Sequence, residues 1–329
     1  MLRMVFLAFV TVVGIRATAV ADPPAPSDKP LGVEVADGLT LRHAARGRDL
    51  AYKVSYPEGD GPYPLIVFSH GFGGSKDAFS SIARHWAGHG YVVIQPTHAD
   101  GLGRRDGDRT AGGGRPGRLG AGGLLAGLND PNRIADHVAD LVLVLDSLTE
   151  IEKAAPGLEG RIDAKRIGVG GHSFGAYTAM LIGGVTVDLG GEQGRSFRDA
   201  RVTCILPISA QGTGQQGLTD GSWAGLTIPM MTITGTRDRG VGGQGVDWKK
   251  EPYTFSPPGS KYLVVIDGAS HLSFGGGLGP RGSDVTDVVK RTSTLFWDAF
   301  LKDSEPARAY LQSDELPKDA GGGYEFERK

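Results

Sequence analysis

The residues Gly171-His172-Ser173-Phe174-Gly175 form a G-x-S-x-G sequence, entered from the apolar run IGVGG and left through AYTAMLIGG, which reads as a helix. A nucleophile on a strained turn between strand and helix crowds its neighbours, so the positions two before and two after it must lack side chains. Ser173 is therefore expected to project its hydroxyl above a sheet. A serine hydroxyl is a weak nucleophile near neutral pH unless a base takes its proton, and that base needs a carboxylate to orient it. His271, in GASHLSF directly after the run YLVVI, is the only histidine beyond Ser173; His43, His70, His85, His89, His98, His137 and His172 precede or abut the serine. Position and elimination together make His271 the expected base. Asp238, in TGTRD after the run MMTIT, is the favoured carboxylate, because a side chain at the carboxyl end of a strand can reach the imidazole. Asp247, deeper in the same loop, and Asp267, which ends the next strand, compete with it. The bland reading of Asp238 is a surface ion pair with Arg237 or Arg239, worth only about 0 to 1 kcal/mol.

Acyl transfer also needs donors for the developing oxyanion, usually one backbone N–H after the nucleophile and one from the loop after an early strand. The expected donors are the N–H groups of Phe174 and of Phe72, the latter in His70-Gly71-Phe72-Gly73-Gly74, where the run LIVF ends. His70 is assigned the structural task of holding that loop by hydrogen bonds.

Such a constellation needs a scaffold that delivers loops to one edge. Runs at 65–68, 91–94, 167–169, 202–208, 230–233 and 262–266 are unalternated and rich in Val and Ile, as strands buried on both faces must be. Helical periodicity covers 76–87, 132–148 and 288–300. Strand and helix in alternation predict a mostly parallel, doubly wound sheet of about eight strands with helices on both faces, opened by antiparallel strands at 39–43 and 50–55.

Composition removes several other classes. Of 329 residues 53 are Gly and 19 Pro, short of a low-complexity chain, and 40% are hydrophobic. With 35 Lys+Arg against 37 Asp+Glu there is no basic field for nucleic acid. No carboxylate cluster of ligand spacing points to a metal. At the N-terminus Arg3, the apolar stretch 4–15 and Ala19-Val20-Ala21 read as a signal peptide over 1–21 with cleavage near Ala21, since twelve apolar residues are fewer than the ~20 that span a bilayer. A Pro-rich flexible leader is expected over 22–31, then one domain over 32–329. Cys204 is the sole cysteine, so neither an intrachain disulfide nor a lipid-carrying cysteine at the cleavage site is available, and the expected address is secreted or periplasmic without a stable membrane anchor.

Two segments stand apart. The stretch 99–128 carries eleven Gly and five Arg in GLGRRDGDRTAGGGRPGRLGAGGLLAGL and reads as a long loop, either a plain surface loop or a flap over the site. Its lack of Phe, Tyr and Trp leaves nothing on which nucleic-acid bases could stack. Gly212-Thr213-Gly214-Gln215-Gln216-Gly217 is a literal G-x-G-x-x-G, but Gly221, Gly225 and Pro229 break the helix a dinucleotide site requires. A loop beside the pocket, with Gln211 and Trp223 as substrate contacts, is the preferred reading.

With HGFGG, GHSFG, TGTRD and GASH in this order, the chain resembles the α/β-hydrolase superfamily. Within it the likeness is to bacterial proteins described as predicted dienelactone hydrolases, similar to platelet-activating-factor acetylhydrolases and, more distantly, to cutinase-like polyester hydrolases. The likeness runs over about 63–300, most specifically in GHSFGAYTA, RIADHVADLVLVLDSL and KYLVVIDGASHLSF. It implies an α/β-hydrolase fold and hydrolysis of carboxylic esters without cofactor or metal. By the resemblance Ser173, Asp238 and His271 fall on the family's triad, and Phe72 and Phe174 on its oxyanion positions. True dienelactone hydrolases use a cysteine where this sequence has Ser173. A small-molecule, lipid or polymer ester is the implied substrate, and a non-catalytic binding protein on the same fold is the alternative of another class.

Overall fold

A computed structural model describes residues 30–101, 121–276, 282–314, 316 and 323–329. The expected signal peptide, nearly all of the leader, and 102–120 of the Gly/Arg segment lie outside the described residues. At the leader's end, Leu31 N–H donates to the Gly88 carbonyl at 2.8 Å.

The main sheet is built from β1 (Val33–His43), β2 (Arg48–Pro57), β3 (Tyr63–Ser69), β4 (Val92–Thr97), β5 (Ile162–His172), β8 (Val202–Ile208), β9 (Met230–Arg237), β10 (Lys261–Ser270) and β11 (Tyr324–Arg328). A small hairpin of β6 (Val187–Leu189) and β7 (Glu192–Arg195) stands apart from it. The spatial order is β1-β2-β4-β3-β5-β8-β9-β10-β11. The six strands from β4 to β10 run parallel, while β1, β2 and β11 are antiparallel to their neighbours. Among the described residues the main sheet thus has nine strands rather than about eight; the addition is β11, whose YEFER alternation pairs Tyr324 with Ile266 and Phe326 with Val264.

The unalternated strands divide their side chains between two cores. Leu65, Val67, Ile167 and Val169 face one layer, with α3 (Pro131–Asp146) and α5 (Phe174–Gly183). Ile66, Phe68, Leu206 and Ile208 face the other, with α1 (Ser80–Gly88) and α7 (Gly282–Leu301). Each fully buried Leu, Ile or Val contributes about 1.5–3 kcal/mol, so both faces of the sheet need their helices. Cys204 is buried in the α1/α7 layer.

Helix boundaries follow local chemistry. The α3 helix starts at Pro131 because the Asp130 side chain accepts from Asn132 N–H and proline fits the first turn. The helix predicted from residue 76 begins only at Ser80, because Phe79 takes a left-handed φ of 61° and sends its ring under the elbow, 4.9 Å from Phe68 and 5.1 Å from His172. Within the segment read as a loop, 121–128 instead form α2 (Ala121–Leu128). Further helices are α4 (Leu148–Ala154), α6 (Val246–Phe255) and α8 (Glu305–Leu311). No helix among the described residues is long and apolar enough to cross a membrane.

Candidate active site

The carboxyl ends of β3, β5, β9 and β10 converge on one edge of the sheet, the edge where parallel α/β sheets bind ligands. Ser173 follows β5 and precedes α5 with φ 54° and ψ −116°, a conformation that costs a non-glycine residue on the order of 1–3 kcal/mol. Its N–H donates to the Ile208 carbonyl at 2.9 Å and its carbonyl accepts from Tyr177 N–H at 3.1 Å, so the turn is fixed from both sides. A side chain at position 171 would collide with the Gly175 carbonyl, and one at position 175 with the Ser69 carbonyl. The spacing of the two glycines around Ser173 is therefore a steric requirement.

Ser173 Oγ lies 3.0 Å from His271 Nε2, and His271 Nδ1 lies 3.1 Å from Asp238 Oδ1. The imidazole is 31% exposed, whereas the carboxylate is fully buried. Asp238 stands one residue past β9, with its N–H on the Gly235 carbonyl at 2.9 Å, and Thr234 Oγ1 donates to Asp238 Oδ2 at 3.0 Å. Burial pushes the Asp238 carboxyl up, but the bond from His271 and the nearby Lys249 charge outweigh it and leave the group below its ordinary value. The competing acids sit elsewhere: Asp247 is exposed in the first turn of α6, and Asp267 is exposed and receives the Thr236 hydroxyl at 3.2 Å. Arg237 and Arg239 point to solvent, so the ion pair weighed as the bland reading of Asp238 is not formed.

Phe174 is the first residue of α5, so its N–H is one of the four in a helix without an intrahelical acceptor. Phe72 lies in the loop after β3, its ring 6.2 Å from that of Phe174. Gly71 brings this loop against the elbow: a methyl group added there would lie 3.2 Å from Ser173 Cβ and from His172 Nδ1. The loop is held from beneath. Gly73, with φ 73°, donates its N–H to Asp100 Oδ2 at 3.0 Å, and Asp100 Oδ1 takes the Nε2 proton of His137 at 2.8 Å. His70 accepts His98 N–H at its Nε2 (3.0 Å) and donates from Nδ1 to the Gly71 carbonyl (2.7 Å), the structural task expected of it. Burial pulls His70 down to about 4, so it stays uncharged at neutral pH.

Three contributors escaped the sequence reading. Asp100 lies in the segment read as a loop and carries no motif. His172 abuts the serine and was set aside, yet its Nε2–H donates to the His271 carbonyl at 2.8 Å and so fixes the backbone of that residue; burial and the neighbouring His271 pull it down to about 3. Ser209, at φ 54° after β8, places Oγ 2.8 Å from His271 Nδ1. Trp223 is corrected in the other direction: it is fully buried, stacks on Phe255 at 6.0 Å and donates to Met180 Sδ, so it serves the core and not a substrate. The G-x-G-x-x-G loop forms turns with φ 77° at Gly214 and 73° at Gly217, and Trp248 and Glu251 of α6 bond its backbone at Thr213. No helix opens on the third glycine, which is what a pyrophosphate site requires.

Residues 49–103, from β2 through β4, match the family model of platelet-activating factor acetylhydrolase, isoform II. The platelet-activating factor acetylhydrolase of Canis lupus familiaris is 25% identical over 232 residues, 64% of this chain and 48% of that protein. Its counterpart from Cavia porcellus is 26% identical over 135 residues, 36% of this chain and 31% of that one. The chain thus spans less than half the length of these curated relatives. A ferulic acid esterase from Streptomyces cinnamoneus superposes with a TM-score of 0.62 at 20% identity, covering 94% of this chain and 99% of that one. The chain has the α/β-hydrolase fold. The relatives it resembles by sequence are platelet-activating factor acetylhydrolases.

Proposed function

We propose that the protein is an exported serine carboxylester hydrolase, formed as one catalytic domain after loss of a signal peptide near Ala21. The observation that carries this reading is the unbroken line from Ser173 Oγ through His271 to Asp238 Oδ1, with links of 3.0 and 3.1 Å, at the sheet edge that the HGFGG loop overhangs. Ser173 attacks the ester carbonyl while His271 Nε2 takes its proton. The tetrahedral oxyanion is held by the N–H groups of Phe72 and Phe174, and His271 returns the proton to the departing alcohol. Water, deprotonated by the same imidazole, then releases the acid from the acyl-enzyme. Asp238 keeps the proton on Nδ1 and stabilises the imidazolium. The chain, the ester and one water supply every atom that this cycle moves.

The test is turnover of p-nitrophenyl acetate or butyrate by the chain lacking 1–21, beside Ser173→Ala; full turnover by the variant would sink the reading. A second reading, acyl-ester cleavage in a phospholipid, is favoured by the acetylhydrolase likeness over residues 49–103, which include the HGFGG loop. A chain-length series with a phospholipid and a polyester film as additional substrates separates it from small-ester and cutinase-like activity. Binding of esters without turnover by the native chain would mark a non-catalytic protein.

A further inference from the structure

A lysine is buried behind the candidate acid. Lys249, on α6, is 1% exposed, and its Nζ lies 3.1 Å from the Ser209 carbonyl, 3.1 Å from Ser209 Oγ and 3.9 Å from Asp238 Oδ1. An ammonium group withdrawn from water needs compensation, and Ser209 and Asp238 supply it at this end of the side chain. Ser209 itself is fully buried, which bars its hydroxyl from any substrate and so excludes a second nucleophile activated by the lysine. Its left-handed φ of 54°, held by a 2.7 Å bond from its N–H to the Ile233 carbonyl, is what turns Oγ toward the imidazole.

Counting protons shows how the groups interlock. With the Nε2 lone pair turned to Ser173, His271 carries its proton on Nδ1, between Ser209 Oγ at 2.8 Å and Asp238 Oδ1 at 3.1 Å. The Ser209 oxygen also accepts from Lys249, so its own hydrogen is left for the Asp238 carboxylate, to which it bonds. We propose that Lys249 is a positioning residue: through Ser209 it locks the direction of this hydroxyl and hence the Nδ1 bond, and its charge biases His271 toward the neutral, proton-accepting form. This rests on the serine-hydrolase reading above. Among the described residues, the charged or titratable groups facing His271 are Asp238 from the β9 end, His172 from β5 and Lys249 from α6, and of these His172 is kept neutral by burial. Lys249 is thus the cation that offsets the pull of Asp238 on an imidazolium.

The experiment is the rate at which a fluorophosphonate probe phosphonylates Ser173, followed by intact mass across pH 4.5 to 9, which needs no knowledge of the natural ester. The acid limb of the native protein's own profile is the reference. Lys249→Met is expected to move that acid limb up by about one pH unit, and Lys249→Arg, which keeps a charge, to leave it nearer the native position. Ser209→Ala, which keeps the lysine charge and removes an acceptor of the Nδ1 proton, is expected to lower the plateau rate about ten-fold and to move the limb down by about half a unit. A uniform loss of rate with the limb unmoved in both Lys249→Met and Ser209→Ala would reduce the lysine to a packing role and overturn the proposal. Should Lys249→Met fail to fold by thermal melt, Ser209→Ala alone decides: an unmoved limb with a plateau within two-fold of native overturns it. Absence of labelling at Ser173 in the native protein brings down the hydrolase reading and this inference with it, whereas labelling with unmoved limbs brings down this inference alone.

Discussion

Two lines of serine, histidine and aspartate run side by side through this molecule, with almost the same bond lengths. In one, Ser173, His271 and Asp238 are linked at 3.0 and 3.1 Å. In the other, Ser69 Oγ meets His98 Nε2 at 2.8 Å, and His98 Nδ1 meets Asp140 Oδ2 at 3.0 Å. What separates them is everything around the atoms. Ser69, His98 and Asp140 are all fully buried, and Asp140 is paired with buried Arg48. Ser69 ends β3 in regular parallel register with Gly171, whereas Ser173 sits on a strained turn above the sheet edge. Burial and the adjacent His137 pull His98 down, while burial of Asp140 is outweighed by His98 and Arg48, which hold its carboxyl low. The inner line braces the floor of the HGFGG loop; the outer one meets solvent. A hydrogen-bonded serine, histidine and aspartate therefore do not amount to a nucleophile without access, a strained pedestal and donors for the developing charge.

That contrast can be broken most sharply at the serines. Ser173→Ala should lower ester turnover by about 10⁴-fold or more, while Ser69→Ala should leave kcat within a few-fold and lower stability by about 1–3 kcal/mol, read by urea unfolding. At the acids the same split is expected. Asp238→Asn should lose about 10⁴ in kcat; Asp140→Ala should act mainly on stability, at a cost of about 3–5 kcal/mol, because it leaves the Arg48 charge buried without a partner. If Asp247→Asn rather than Asp238→Asn abolished turnover, the outer line would have been drawn to the wrong carboxylate. Asp100→Ala is a hybrid: it frees Gly73 N–H and His137, and is expected to reduce kcat about 10- to 100-fold with a smaller change in KM, seen in steady-state kinetics.

The smallest effect is on pH. His70 and His172 are pulled by burial to about 4 and about 3, below the ~6.5 of an unfolded histidine. The unfolded chain therefore binds more protons as pH falls through 6.5, so their contribution to stability is present above that pH and is lost as pH drops toward 4 and then 3. Calorimetry should show the melting temperature falling across that window, and His172→Gln should flatten the fall. A melting temperature independent of pH from 7 to 4 would mean these rings are not held neutral.

Legibility in the sequence followed the range of the interaction. The elbow was readable because Gly171 answers to the Gly175 carbonyl four residues on, although Gly175 itself answers to Ser69 of β3, and the core strands because unalternated Val and Ile runs mark burial on both faces. The β11 strand carried a readable alternation in YEFER but had no partner until the chain returned to β10. Asp140 was hidden because it lies mid-helix in the apolar stripe of α3, where only the fold shows which side faces β4. Asp100 was hidden inside a Gly-rich stretch whose composition suggested a loop, and Ser209 and Lys249 because strand end and helix face meet only after the sheet closes.

The sequence by itself determined the turn at Ser173, the identity of His271 as the sole histidine after it, and the alternation that sets the class of fold, since each depends on local sterics, order or periodicity. Only the tertiary structure decided which carboxylate meets His271, which of the two serine lines reaches solvent, and which buried groups brace the site. Those outcomes depend on the close approach of β9 and β10, where a side chain at Gly235 would collide with Ala269, and on burial, which no spacing along the chain records.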